Sequence, residues 1–226
     1  GTNWRAYYLH YIQNGKAEGR KGTGTNTIQG TTIYNGVDYS AVYNMDDYLK
    51  RNSDVRKAVG GDDLAAIAHF VNYGMKEGRQ ASSKFDVNSY RMRYKDLRSA
   101  FGYDLAAYYY HYMSSGKAEG RQATGKVTDI DGVTVYNGVD YAAVYNFNYY
   151  VNANPDIKAA FGNDDLAVLS HFVNYGMREG RRGCEAFNVL TYREKNGDLK
   201  AAFGDDLKQY YIHYINYGKN EGRKAA

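Results

Sequence analysis

Five copies of one motif constrain what this chain can become. They read HYIQNGKAEGR from His10 to Arg20, HFVNYGMKEGR from His69 to Arg79, HYMSSGKAEGR from His111 to Arg121, HFVNYGMREGR from His171 to Arg181 and HYINYGKNEGR from His213 to Arg223. Each is His, an aromatic residue, three free positions, Gly, two free positions, then Glu-Gly-Arg. All 5 histidines of the protein stand at its first position. A chain repeating itself in this way builds neighbouring supersecondary units that bury their apolar faces against one another.

The spacing of the copies gives the organisation. His171 follows His69 by 102 residues, and the same offset aligns Ile33–Thr124 with Val135–Ala226 without a gap. A weaker repeat of 42 residues relates His111 to His69. We therefore expect a mainly α fold with a small β part: two tandem units of about a hundred residues, each a β-hairpin or meander followed by two helical half-units. Residues 22–123 are the first unit and 124–226 the second. Residues 1–21 match the closing helix of a half-unit, with Trp4 where Leu105 and Leu207 stand, and we expect them to cap the array.

Punctuation residues divide the half-unit. Asn44, Asp86, Asn146 and Asn188 have short polar side chains that accept amides of a first helical turn, so a helix begins at each and carries Tyr48, Tyr90, Tyr150 or Tyr192 inward. A second start is expected at Asp54, Asp96, Asp156 and Asp198, in one copy behind the only proline, Pro155, with ends at Gly60, Gly102, Gly162 and Gly204 in the left-handed conformation. A third helix starts at Asp-Leu steps such as Asp63-Leu64 and Asp206-Leu207 and runs to Gly74, Gly116, Gly176 or Gly218. Leu64, Ile67, Ala68 and Val71 at i, i+3, i+4 and i+7 give it one apolar face, with the motif's histidine on the opposite flank. Ahead of each pair of half-units, TNTI-QG-TTIY-NG-VDYS from Thr25 and KVTDI-DG-VTVY-NG-VDYA from Lys126 alternate β-branched residues with Gly turns. They predict a hairpin or three-stranded meander with an open edge.

Composition narrows the function classes. Lys plus Arg number 29 against 25 Asp plus Glu, with the basic residues scattered singly, which is poor ground for nucleic acid. No stretch approaches the roughly 20 apolar residues that span a bilayer, so no membrane insertion is expected. The single Cys184 cannot form an internal disulfide, and Ser82 replaces it in the first unit; we read it as incidental. Few cysteines fit the cytosol and equally a bacterial surface that avoids disulfides.

Repeated histidines and glutamates raise the question of metal or acid/base chemistry. Each copy supplies one His, and a structural account is sufficient. His10, His69, His111, His171 and His213 can bond a neighbouring turn. Glu77, Glu119, Glu179 and Glu221 can accept backbone amides. Arg20, Arg79, Arg121, Arg181 and Arg223 can pair with carboxylates such as the Asp caps. Asp129 and Asp131 before Gly132 resemble the start of a calcium loop, but the later ligands are missing and a turn is the better reading. No phosphate loop, Ser/His/Asp set or Cys/His set appears, and no cofactor or metal is expected.

The 26 tyrosines are the other signal, because tyrosine joins rigid area to a polar tip and suits recognition. Many recur at core spacing and read as packing. Those outside the repeat register, Tyr94, Tyr103, Tyr110 and Tyr149, with Tyr34, Asn35, Tyr136 and Asn137 at the hairpin turns, are the candidate partner-binding residues.

The segments NGVDYAAVYNFNYYVNANPDIKAAFGNDDLAVLSHFVNYGMREGR and FNVLTYREKNGDLKAAFGDDLKQYYIHYINYGKNEGR resemble tandem repeats of large secreted or wall-attached proteins of gut Firmicutes. There such repeats accompany hydrolase or adhesive modules, and similar arrays occur in surface proteins that bind immunoglobulin variable domains as B-cell superantigens. The resemblance covers nearly the whole chain. It implies an extracellular, non-catalytic binding module, monomeric within a longer array whose signal and anchor lie outside this chain. Its partner would be a host protein, most specifically an immunoglobulin variable domain. A wall- or mucin-glycan ligand and a ligand-free structural spacer are the alternatives.

Overall fold

The computed structural model describes residues 3–20, 22 and 30–226. It is mainly helical. Helix α1 (Trp4–His10) precedes a first unit of hairpin β1 (Ile33–Tyr34) and β2 (Val37–Asp38), then α2 (Met45–Arg51), α3 (Ser53–Val59), α4 (Asp63–His69), α5 (Val87–Arg93), α6 (Lys95–Phe101) and α7 (Leu105–His111). The second unit repeats that order with β3 (Val135–Tyr136), β4 (Val139–Asp140), α8 (Phe147–Ala153), α9 (Pro155–Phe161), α10 (Asp165–His171), α11 (Val189–Lys195), α12 (Gly197–Phe203) and α13 (Leu207–His213).

Each half-unit is three short helices whose starts follow local chemistry. Asn44 accepts the Asp47 amide at 3.0 Å, and Asp86, Asn146 and Asn188 cap α5, α8 and α11 in the same way. The tyrosine one turn on is fully buried in all four copies: Tyr48, Tyr90, Tyr150 and Tyr192. The second helices begin earlier than expected. Their caps are Asn52, Tyr94, Asn154 and Asn196, none making a side-chain cap bond, and Asp54, Asp96, Asp156 and Asp198 fall inside the first turn. Pro155 sits at the first helical position, where a missing amide hydrogen costs nothing. These helices end at glycines with φ 61 or 55 as expected, but ψ of −126 to −115 places them outside the left-handed helix, in the first central position of a type II′ turn.

The third helices also depart from the sequence reading. Asp62, Asp104 and Asp164 cap α4, α7 and α10. After each motif histidine the helix widens for five residues into a π turn, as at Phe70–Gly74, where the Met75 amide reaches the Phe70 carbonyl at 2.9 Å. The buried face of α4 is Ala66 and Ile67, continued by Phe70 in the π turn, while Leu64 is 48% exposed and His69 is half-buried beside the core rather than opposite it. The buried stripe therefore lies one position N-terminal of the expected Leu64, Ile67, Ala68, Val71 face.

Each half-unit closes on itself, because the segment after the motif returns to the first cap. The Asn44, Asp86, Asn146 and Asn188 amides donate to the carbonyls of Ala81, Ala123, Gly183 and Ala225 at 2.7–2.9 Å. The two half-units of a unit nevertheless share one core. Phe70 meets the Tyr109 ring edge-on at 5.6 Å, and Phe172 meets Tyr211 at 5.8 Å, so there is one aromatic-rich core per unit.

The hairpins are two-stranded. Asn35 and Gly36, and likewise Asn137 and Gly138, take positive φ, as the two-residue Asn-Gly turn requires. A third strand does not form in the second unit. Residues 126–134 adopt no regular secondary structure, Ile130 and Val133 enter the core, and Gly132 lies under Phe147, where a Cβ would collide. The matching segment of the first unit, from Thr25 to Gln29, lies outside the described residues.

A buried ion pair joins the units. Arg98 of α6 reaches Asp165 of α10 at 2.9 Å, with side chains 0% and 1% exposed. Arg98 also donates to the carbonyls of Arg91, Met92 and Asp131, and the second Asp165 bond comes from the Val133 amide. Beside it Tyr103 donates to Asp164 at 3.0 Å under the Arg91 guanidinium.

Candidate functional site

The motif is a structural lock in the four complete half-units. Its histidine places Nδ1 against the hydroxyl of the buried tyrosine 21 residues earlier: Tyr48–His69 at 2.8 Å, Tyr90–His111 at 2.9 Å, Tyr150–His171 at 3.2 Å and Tyr192–His213 at 2.9 Å. Sequence reasoning expected a bond to a neighbouring turn; the imidazole instead satisfies a hydroxyl that burial would otherwise orphan. Burial holds His171 below the usual histidine range, with the Arg181 charge adding to it. Burial raises the Tyr48, Tyr90, Tyr150 and Tyr192 hydroxyls in turn.

The arginine closes the lock from the other side. Arg79 Nη1 lies 2.9 and 2.7 Å from the Asp54 carboxylate oxygens and 3.3 Å from the Asn52 side-chain Oδ1. Arg121, Arg181 and Arg223 hold Asp96, Asp156 and Asp198 in the same way, so the expected pairing with these aspartates is found. Glu77, Glu119, Glu179 and Glu221 do not take the expected backbone amides. Each accepts the Nε of the arginine two residues on and orients its guanidinium. The first glycine of the motif is required by contact: a Cβ on Gly74 would fall 2.6 Å from the Tyr48 hydroxyl.

The motif also carries a surface that sequence reasoning passed over. Tyr73, Tyr175 and Tyr217, four residues after the histidine, are about 60% exposed and lie 5.5–5.6 Å from its ring. Their recurrence at one motif position was legible as a register; their exposure was not.

Two of the candidate tyrosines, Tyr103 and Tyr136, line one groove at the junction of the units. Tyr103, Tyr136, Phe161, Leu166, Ser170, His171 and Tyr175 line an open groove of about 590 Å³. The Tyr136 hydroxyl accepts from Ser170 and Asn174 at 3.3 Å each, which lowers its pKa. Tyr103 is pushed up to about 12, first by burial and then by its bond to Asp164. The groove thus offers aromatic faces with hydroxyl groups at one edge.

The other candidates are dispersed. Tyr94 is half-buried, its hydroxyl accepts the Gln122 amide and its ring lies under Arg121. Tyr149 is half-buried below Arg182, and Tyr110 is 48% exposed in a separate hollow beside Phe101 and His111. Tyr34 is half-buried on its hairpin, with Asn35 and Asn137 exposed at the turns.

The hairpins carry apolar residues that strand alternation did not single out. Ile33 and Val37 are 57% and 42% exposed, and their counterparts Val135 and Val139 are 44% and 37% exposed. Ile33 pairs with Asp38 and Val37 with Tyr34, so the two lie on opposite faces of the hairpin, and in two-residue strands both stay in water.

Among the described residues no group of three or more His, Cys, Asp and Glu side chains converges as a metal site, and no helix is long and apolar enough to cross a membrane. Cys184 is buried, which raises its pKa, at a position where Ser82 is equally buried. Comparison of the chain with protein-family models, with curated proteins and with solved structures finds no match.

Proposed function

We propose that this chain is a non-catalytic binding module of a secreted or wall-attached bacterial protein, and that its partner is an immunoglobulin variable domain. The observation that carries this reading is the pair of equivalent hairpins, each presenting exposed β-branched residues around an Asn-Gly tip. An apolar strand pair with an open edge suits the flank of a β-sandwich, where backbone pairing gives affinity and the side chains give selection. Two copies on one chain raise avidity when both engage. Immobilised protein should retain pooled immunoglobulin and isolated Fab, and Ile33→Asp with Val135→Asp should release both. Retention of neither Fab nor intact immunoglobulin by the unaltered protein defeats the reading.

The junction groove favours a second reading, a wall or mucin glycan stacked on Tyr103 and Tyr175 with its hydroxyls at Tyr136 and Ser170. A glycan array on which Tyr103→Ala and Tyr136→Ala abolish a hit supports it; an array without a hit removes it.

A further inference from the structure

Helix α1 and the opening face of the first unit show two separate deficits, and the rest of the chain shows what fills each. In α1, Tyr7 and Tyr8 are 60% and 70% exposed and Trp4 is 68% exposed. Their counterparts Tyr108 and Tyr109 in α7, and Tyr210 and Tyr211 in α13, are fully buried. His10 and Arg20 carry the motif, but among the described residues no tyrosine hydroxyl meets His10, and Arg20 holds only Glu18. The Arg20 side chain is 66% exposed, against 22–26% in the four complete copies. Trp4, Tyr7, Tyr8, His10 and Arg20 line a hollow of about 540 Å³.

The second deficit lies at the start of α4. Asp63 receives the Thr31 amide just as Asp165 receives the Val133 amide, yet among the described residues no arginine or lysine pairs with it. Leu64 is 48% exposed, whereas its counterpart Leu166 packs against the core of the second unit. At the junction of the units, the α5–α6 pair meets both needs at once. Tyr90 bonds the α7 histidine, Asp96 holds the motif arginine, and Arg98 crosses to Asp165.

We propose that α1 and the Asp63–Leu64 face together form a docking site for one helix pair of this same repeat type. Its first helix supplies a tyrosine to His10, and its second supplies an aspartate to Arg20 and an arginine to Asp63. The intramolecular junction is the template: one inserted pair satisfies a closing helix behind it and an opening face ahead of it. This goes beyond the proposed immunoglobulin reading and does not depend on it. It makes residues 3–20 a receptor for a repeat element rather than a finished cap.

The sole tryptophan, Trp4, reports the outcome. Residues 84–103 are fused directly before Asn3 of the full chain, which restores the register of Asp104 and Leu105. Trp4 emission should move to shorter wavelength and acrylamide quenching should fall several-fold. Tyr90→Ala with Leu97→Ala in the added segment should return Trp4 to its exposed state. Arg98→Ala in the added segment should lower the melting temperature while Trp4 stays shielded. If Trp4 stays as quenchable as in the unfused protein while circular dichroism and protease resistance show the remainder folded, the proposal is overturned. Equal shielding by the Tyr90→Ala, Leu97→Ala fusion overturns it as well.

Discussion

Replacing Arg98 by Ala is the most severe single test of how the two units are joined. Arg98 is 1% exposed and gives its hydrogen bonds to Asp165 and to three carbonyls. Removing it leaves a fully buried carboxylate with one remaining donor, the Val133 amide. Breaking one side of such a pair costs about 3–5 kcal/mol, because the other charge is left uncompensated. At about 2–4 °C per kcal/mol for a chain of this size, the loss lowers Tm by roughly 6–20 °C. The transition should also broaden or split, since neighbour coupling is what makes tandem units melt together. Differential scanning calorimetry reads both effects. Lys200 occupies the matching position of the second unit and is exposed, so Lys200→Ala is an internal control within about 0.5 kcal/mol of the unaltered protein. Arg98→Met with Asp165→Leu should recover part of the loss, because an apolar pair removes the orphaned charge but leaves the buried Val133 amide without its acceptor. An Arg98→Ala protein melting within about 1 kcal/mol of the parent, in one equally sharp transition, would refute the reasoning.

Other expectations follow from the lock and the surface. Tyr48→Phe removes the hydroxyl bonded to His69 and should cost about 1 kcal/mol in urea unfolding; Gly74→Ala, whose Cβ meets that hydroxyl, should cost about 1–3 kcal/mol, and less in the Tyr48→Phe background. His69→Ala or Arg79→Ala should lower Tm while leaving Fab retention intact, and lost binding at unchanged stability would assign the motif to the partner instead. Acid should destabilise in two stages: the folded state depresses His171, so stability is full above the unfolded value of about 6.5 and declines below it, whereas Asp54, Asp156 and Asp198, depressed by their arginines, lose their contribution only as pH falls below the ordinary carboxylate range. A melting temperature flat from neutral pH down to the carboxylate range would exclude the histidine stage. Ile33→Asp and Val135→Asp should change Tm little, because neither residue enters the core.

Much of this protein could be read from the chain alone. Helix starts at Asn44, Asp86, Asn146 and Asn188, the inward tyrosines and the Asn-Gly hairpins depend on side chains within a few residues, so local chemistry fixes them. The pairing of the motif arginine with an aspartate was legible because both recur at one spacing. Other features were decided by tertiary packing. The motif histidine meets a tyrosine 21 residues away rather than a turn, because that hydroxyl is the buried group in need of a partner. Leu64 is exposed while Leu166 is packed, because only the second unit has a neighbour lying against it. Arg98 and Lys200 hold equivalent positions, yet one is buried and the other solvated. Repeated sequence determines the repeated unit; which of its surfaces become interior is settled by what stands next to each copy.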